Sequence, residues 1–220
     1  NGSYSFTGIP DGSGFVITEV VPTGNWVQSY PVGGSYTGNL NGSGTPDNLG
    51  YAATVLSGGN DFANFQFGGR GGHTLGFWSN KNGLATMNTN NPLACLVALN
   101  LRNANGSHFD PANLGAFQKW LTSANATNMA NMLSAQMAAM KMNVRYGITG
   151  GSWLIWAPGA LGANGFGYIT VDNLIAEANA SLGANGNTVA SGAVRTYQNA
   201  LKDALDRGNN NLNVYILPAP

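Results

Sequence analysis

The chain has 220 residues, with nine Lys or Arg and nine Asp or Glu, which allows one large domain or two small ones and leaves no net charge. Charged residues make up only 8%, against about 25% in ordinary soluble domains. The basic footprint that phosphate binding needs is therefore absent, which excludes nucleic acid and an anionic membrane as expected partners.

Tyr4 and Phe6, then Phe15-Val16-Ile17-Thr18-Glu19-Val20, predict two strands, because β-branched and aromatic residues suit a pleated surface. Gly8 to Gly14 supplies turn chemistry between them. Trp26 to Tyr30 predicts a third strand, residues 32–50 a long loop, Tyr51 to Leu56 a strand, and Phe62 to Phe67 the last strand of this part. Gly68-Gly69-Arg70-Gly71-Gly72 reads as a linker.

After the linker the periodicity becomes helical. Asp110-Pro111 reads as an N-cap followed by Pro at the first helical position, opening a helix through Leu114, Phe117, Trp120 and Leu121. Asn128 is placed to cap the next, which carries Met129, Leu133, Met137, Met140 and Val144 at spacings of three and four. A Gly-rich aromatic stretch runs from Gly147 to Tyr168. Asp172 opens a helix through Leu182, and Val189 to Arg207 is another that Gly208 should stop. Leu212 to Leu217 forms a short β-like tail.

Asn1 to Pro10, followed by Phe15 to Pro22, Trp26 and a closing Asn64-Phe65-Gln66-Phe67-Gly68, resembles the second half of a prealbumin-like B repeat of bacterial surface adhesins, of the serine-aspartate-repeat and collagen-adhesin type. The resemblance covers residues 1–69 and lacks the first strands of the pattern. It implies an incomplete β-sandwich. The stretch Gly72-His73-Thr74-Leu75-Gly76-Phe77-Trp78-Ser79-Asn80-Lys81-Asn82-Gly83, with Leu99 to Asn103 and His108 to Pro111, resembles a module of secreted bacterial proteins with no assigned activity. Both resemblances imply an exported bacterial protein.

Several constellations bear on chemistry. His73 and His108 are the only histidines, too few for a zinc site that needs three or four ligands, so no metal and no cofactor is expected. Cys95 is the one cysteine and lies in an apolar run, where it reads as a small hydrophobe and where a thiolate is disfavoured. No G-x-S-x-G elbow occurs, and the chain is read as a non-enzyme. Phe77, Trp78 and Lys81, together with Trp153 and Trp156, could form an aromatic ligand platform for glycans; the other reading fills the core with these rings. No apolar run approaches the ~20 residues of a membrane span. The first residue is Asn rather than Met, as expected of a mature exported form.

The expectation is an α+β protein: an incomplete β-sandwich-like module at 1–69, a mostly helical module at 70–208 and a β-like tail at 209–220. The function expected is structural, the subunit of an extracellular or cell-surface fibre, sheath or layer. Copies of the chain would be its partners, assembled by strand addition into a homopolymer. The tail residues Leu212, Val214, Tyr215, Ile216 and Leu217 are the candidate donor strand, since half a sandwich leaves an open edge. The alternative is a surface adhesin or carbohydrate-binding module that uses exposed Trp residues.

Overall fold

A computed structural model of the protein describes residues 14–18, 20, 26–30, 35–39, 63–67, 72–165 and 167–216. The chain divides into two compact units, Asn1–Phe65 and Gln66–Pro220. It is α+β and mostly helical among the described residues.

The first unit contains β1 (Gly14–Thr18), β2 (Trp26–Tyr30) and β3 (Ser35–Asn39). β1 and β3 form a two-stranded antiparallel ladder with Ile17 opposite Tyr36. β3 falls in the stretch expected to be a loop; Tyr36 and Thr37 are its two good strand formers. The expected strands at Tyr4 to Phe6 and Tyr51 to Leu56 lie outside the described residues. Among the described residues the first unit holds this two-stranded ladder and β2, which lies beside β4 (Ala63–Phe67) in strand order, and no sandwich.

β4 (Ala63–Phe67) spans the division between the units. Its last two residues belong to the second unit, followed by α1 (Leu75–Trp78), α2 (Lys81–Thr86), α3 (Leu114–Ser123) and α4 (Met129–Arg145). Then come β5 (Leu154–Trp156), β6 (Tyr168–Thr170), α5 (Val171–Ala184), α6 (Ala193–Asn209) and β7 (Val214–Ile216). Among the described residues no helix is long and apolar enough to cross a membrane.

The abundant Asn and Thr find their use at helix starts. Thr74, Asn80, Asn113, Asn128 and Thr170 each accept a bond from a free N–H in the first turn of their helices, where an unpartnered donor would otherwise remain. Asn113, rather than Asp110, caps α3. Pro111 is buried in the turn before it.

α4 is the axis of the second unit and packs against both α5 and α6. All of its 17 residues except Met132, Lys141, Val144 and Arg145 are buried. Ala130, Ser134, Ala135, Ala138 and Ala139 are among them, and their small side chains let neighbouring helices approach closely. Leu133, Met137 and Met140 fill the spaces left, each contributing roughly 1.5–3 kcal/mol through burial.

A small antiparallel sheet lies beside the helices. Gln66 pairs with Ile216 and Phe67 with Tyr215; Ile155 of β5 pairs with Val214 on one side and with Ile169 of β6 on the other. α6 runs through Gly208 to Asn209, so Gly208 does not stop the helix as expected. A Cβ there would lie 2.6 Å from Met140 Cε and 2.8 Å from Ile155 Cδ1, so its smallness serves the contact of α6 with the core. The stop comes at Asn211, with φ of 66°. Its N–H bonds Gly208 O at 3.1 Å and the Leu212 N–H bonds Arg207 O at 2.8 Å, the pairing of a Schellman ending with Asn in the left-handed position.

Candidate functional site

The segment Gly72 to Gly83 is positioned by one side chain from α4. Asn143 is fully buried. Its Oδ1 accepts from the His73 N–H at 2.7 Å and from Trp78 Nε1 at 3.2 Å. Its Nδ2 donates to His73 O at 2.9 Å and to Asn209 Oδ1 at 2.9 Å. The amide thus grips both main-chain groups of His73, much as a neighbouring strand would. Gly72 fits because it lacks a Cβ, which would meet Asn143 Nδ2 at 2.7 Å and Asn209 Cα at 2.9 Å.

The grip continues through α6. Asn209 Nδ2 donates to Gln136 O at 3.0 Å and Oε1 at 2.8 Å, and Gln136 Nε2 donates to Asp206 Oδ1 at 2.9 Å. A second knot closes the other end of α4. Asn128 Oδ1 accepts from the Ala130 and Thr188 N–H groups, and Thr188 Oγ1 donates to Gln198 Oε1 at 2.7 Å. Buried polar groups are costly unless paired, and these amides satisfy one another. Sequence reasoning missed this row. Its signal was legible: a helix with apolar residues all round has no solvent face, so its Asn, Ser and Gln must be buried.

The aromatic platform does not assemble. Trp78 is completely buried, with ring centroids 5.1 Å from Phe77 and 5.5 Å from Tyr146. Phe77 stacks on His73 at 3.8 Å. Lys81 is exposed at the start of α2. Among the described residues the cation–ring contacts are Arg145 over Tyr146, at 5.8 Å, and Arg207 over Trp156, at 5.3 Å. Trp153 is half-buried against the core, with Gly150 against its indole. Trp156 is half-buried under Arg207. Trp78 is therefore removed from the expected platform, because its large ring is worth more inside than on the surface.

The expected donor tail is also in use. Val214, 2% exposed, lies opposite Ile155, while Tyr215 and Ile216 pair with Phe67 and Gln66 of the same chain. Leu212 is exposed; Leu217 lies outside the described residues. The tail is therefore not a free strand.

The remaining candidates are local features. His108 is exposed and bridges Arg102, and among the described residues no group of three or more His, Cys, Asp or Glu could hold a metal. Burial pushes the Cys95 thiol up despite Lys141 and Arg145 nearby, and its Sγ donates to Met142 Sδ at 3.6 Å. Glu177 takes the Leu161 N–H at 2.6 Å, the Gly162 N–H at 2.9 Å and the Tyr197 hydroxyl at 2.5 Å. Burial first, then the Glu177 bond and charge, push the Tyr197 phenol above its ordinary value. This carboxylate pins a loop that leaves Leu161 exposed. A shallow groove of about 520 Å3 lies between Pro92, Leu93 and Val97 on one side and Pro111 and Leu114 on the other.

Burial lowers the His73 pKa, which fixes a sign for pH dependence. The folded state holds the proton less tightly than the unfolded chain, whose imidazole titrates near pH ~6.5. The stability from neutral His73 is complete above that value and falls as pH drops through the lowered folded pKa. Thermal melts at pH 7 and pH 5 should show a larger loss for the parent chain than for His73→Gln. An equal loss in both would assign the acid sensitivity to other groups.

No family model matches the chain, and no curated protein or solved structure matches it either.

Proposed function

We propose that this chain is an exported structural protein without enzymatic activity, the subunit of an extracellular fibre, sheath or surface layer. The observation that carries the reading is how the second unit is held together. Arg102, Arg145 and Arg195 donate to main-chain carbonyls, and the one ion pair among the described residues is Lys202–Asp203, adjacent on α6. The buried polar network is built largely from amides and hydroxyls, which hold their charge state at every pH. Such a fold is little affected by ionic strength and suits a protein that meets uncontrolled surroundings. The neutral surface does not oppose association. The adhesin-like character belongs to the same reading and rests on the resemblance of residues 1–69.

The expected result is ordered polymer. The purified chain, concentrated and imaged by negative-stain electron microscopy, should give filaments or sheets of constant repeat. A protein that sediments as a monomer at every concentration would sink the reading. The glycan-binding alternative loses Trp78 from its platform and retains Trp153 and Trp156. Glycan-array binding abolished by Trp156→Ala would restore it.

A further inference from the structure

We propose that β7 is exchanged between copies of this chain, the tail of one subunit filling the place between β4 and β5 of the next. The inference rests on the structural reading above and names its partner, a second copy, and its joint.

Three observations carry it. The first is the position of β7. It is the last element of the described chain and is paired on both sides, with Gln66 and Phe67 on one and Leu154 and Ile155 on the other. Withdrawing it would open a gap one strand wide, uncovering Ile155 and leaving main-chain donors and acceptors of two strands unpaired. The segment that fits this gap in shape, register and hydrogen bonding is the same segment of another copy.

The second is the sheet edge. β6 is an edge strand, and an open edge is where a foreign strand would ordinarily add. Here Asn164 occupies it: its Oδ1 accepts from the Tyr168 N–H at 3.0 Å, and its own N–H donates to Tyr168 O at 2.8 Å. The Tyr168 main-chain groups that a strand added at this edge would need are thus already taken, which favours replacement of an inner strand.

The third is the hinge. Asn211 holds a left-handed φ of 66°, a conformation that asparagine tolerates better than other side chains and that glycine alone adopts freely. Two residues on, Asn213 is 1% exposed. Its Nδ2 donates to Trp156 O at 2.8 Å and Ala204 O at 3.0 Å, while its buried Oδ1 has no partner. The closed turn therefore carries a left-handed residue that is not glycine and a buried oxygen without a partner, and an extended hinge removes the left-handed residue. Strain in a short hinge before a terminal strand favours exchange. One-way exchange is head-to-tail and does not close, so it grows.

The test ties β7 to its own β5. Ile155 and Val214 face each other in the ladder, so Ile155→Cys with Val214→Cys, in a Cys95→Ala background, places two thiols together. Oxidised as a monomer, this variant should remain monomeric by size-exclusion chromatography while its reduced form assembles. Oxidised after assembly, it should give a ladder of covalent multimers on a non-reducing gel. Oligomers formed equally well by the oxidised monomer would overturn the exchange and leave the structural reading intact. Covalent dimers alone would support the exchange and overturn the polymer. No assembly in the parent chain would overturn both. If the cysteine variant does not fold, Asn211 supplies a second test. Asn211→Gly relieves the turn and should lower the assembled fraction, and Asn211→Ala should raise it, the two differing by about fivefold or more in equilibrium constant. Identical assembly by both would overturn the proposal.

Discussion

Replacing Asn143 with alanine should lower the melting temperature of the second unit by about 10 °C. The side chain makes four hydrogen bonds in a fully buried setting. Alanine leaves the Trp78 indole N–H and the His73 N–H without acceptors and strands His73 O and Asn209 Oδ1. A buried group left unpaired costs roughly 1–3 kcal/mol. The four share one partner and do not add fully, so the total is about 3–5 kcal/mol. For a chain of this size each kcal/mol moves the midpoint by about 2–4 °C. Asn143→Asp separates polarity from volume. It keeps the two acceptor contacts and turns the donor into an oxygen facing His73 O and Asn209 Oδ1, so it too should destabilise. A midpoint within about 2 °C of the parent for both variants would show that the amide does not hold this segment.

The second large effect runs against helix propensity. Gly83 lies within α2, where alanine is ordinarily preferred by about 1 kcal/mol. Its missing Cβ would stand 2.2 Å from Phe77 O, 2.7 Å from Trp78 Cα and 3.0 Å from Phe77 C. All three are main-chain atoms of α1 and cannot rotate away. Gly83→Ala should therefore force α1 and α2 apart and destabilise by about 3 kcal/mol, at the upper end of overpacking effects. Gly76→Ala is the control. Its nearest neighbour would be Thr74 Oγ1 at 3.6 Å, an ordinary contact at an exposed site, so that change should be neutral or slightly stabilising. Denaturant melts of the two variants should differ by about 3 kcal/mol or more. Equal stabilities would mean that the close approach of the two short helices is dispensable.

Glycines that all lie inside helices thus have opposite fates. Gly83 is fixed by a main-chain contact and Gly208 by the ends of Met140 and Ile155, whereas Gly76 is replaceable. Nothing within a few residues distinguishes them, because the atoms that matter arrive from other elements or from a turn folded back.

What the sequence determined by itself were the features set by near neighbours. The helical stretches through Trp120, Met137, Leu174 and Leu201 follow from apolar periodicity. Asn128 follows from its place before one of them, since a cap bonds within three residues of itself. Cys95 among apolar neighbours is a thiol packed against the core, though only partly buried.

The tertiary structure decided what depends on distant partners. Trp78 is in the core rather than on a binding face because Asn143, 65 residues away, supplies an acceptor for its indole. β5 and β6 escape notice because a three-residue strand carries almost no periodic signal; they exist through pairing with each other and with β7. The tail could be read as a strand but not matched to a neighbour, because alternation of side chains gives a strand its faces and leaves the identity of its flanks to the contacts that bury Val214.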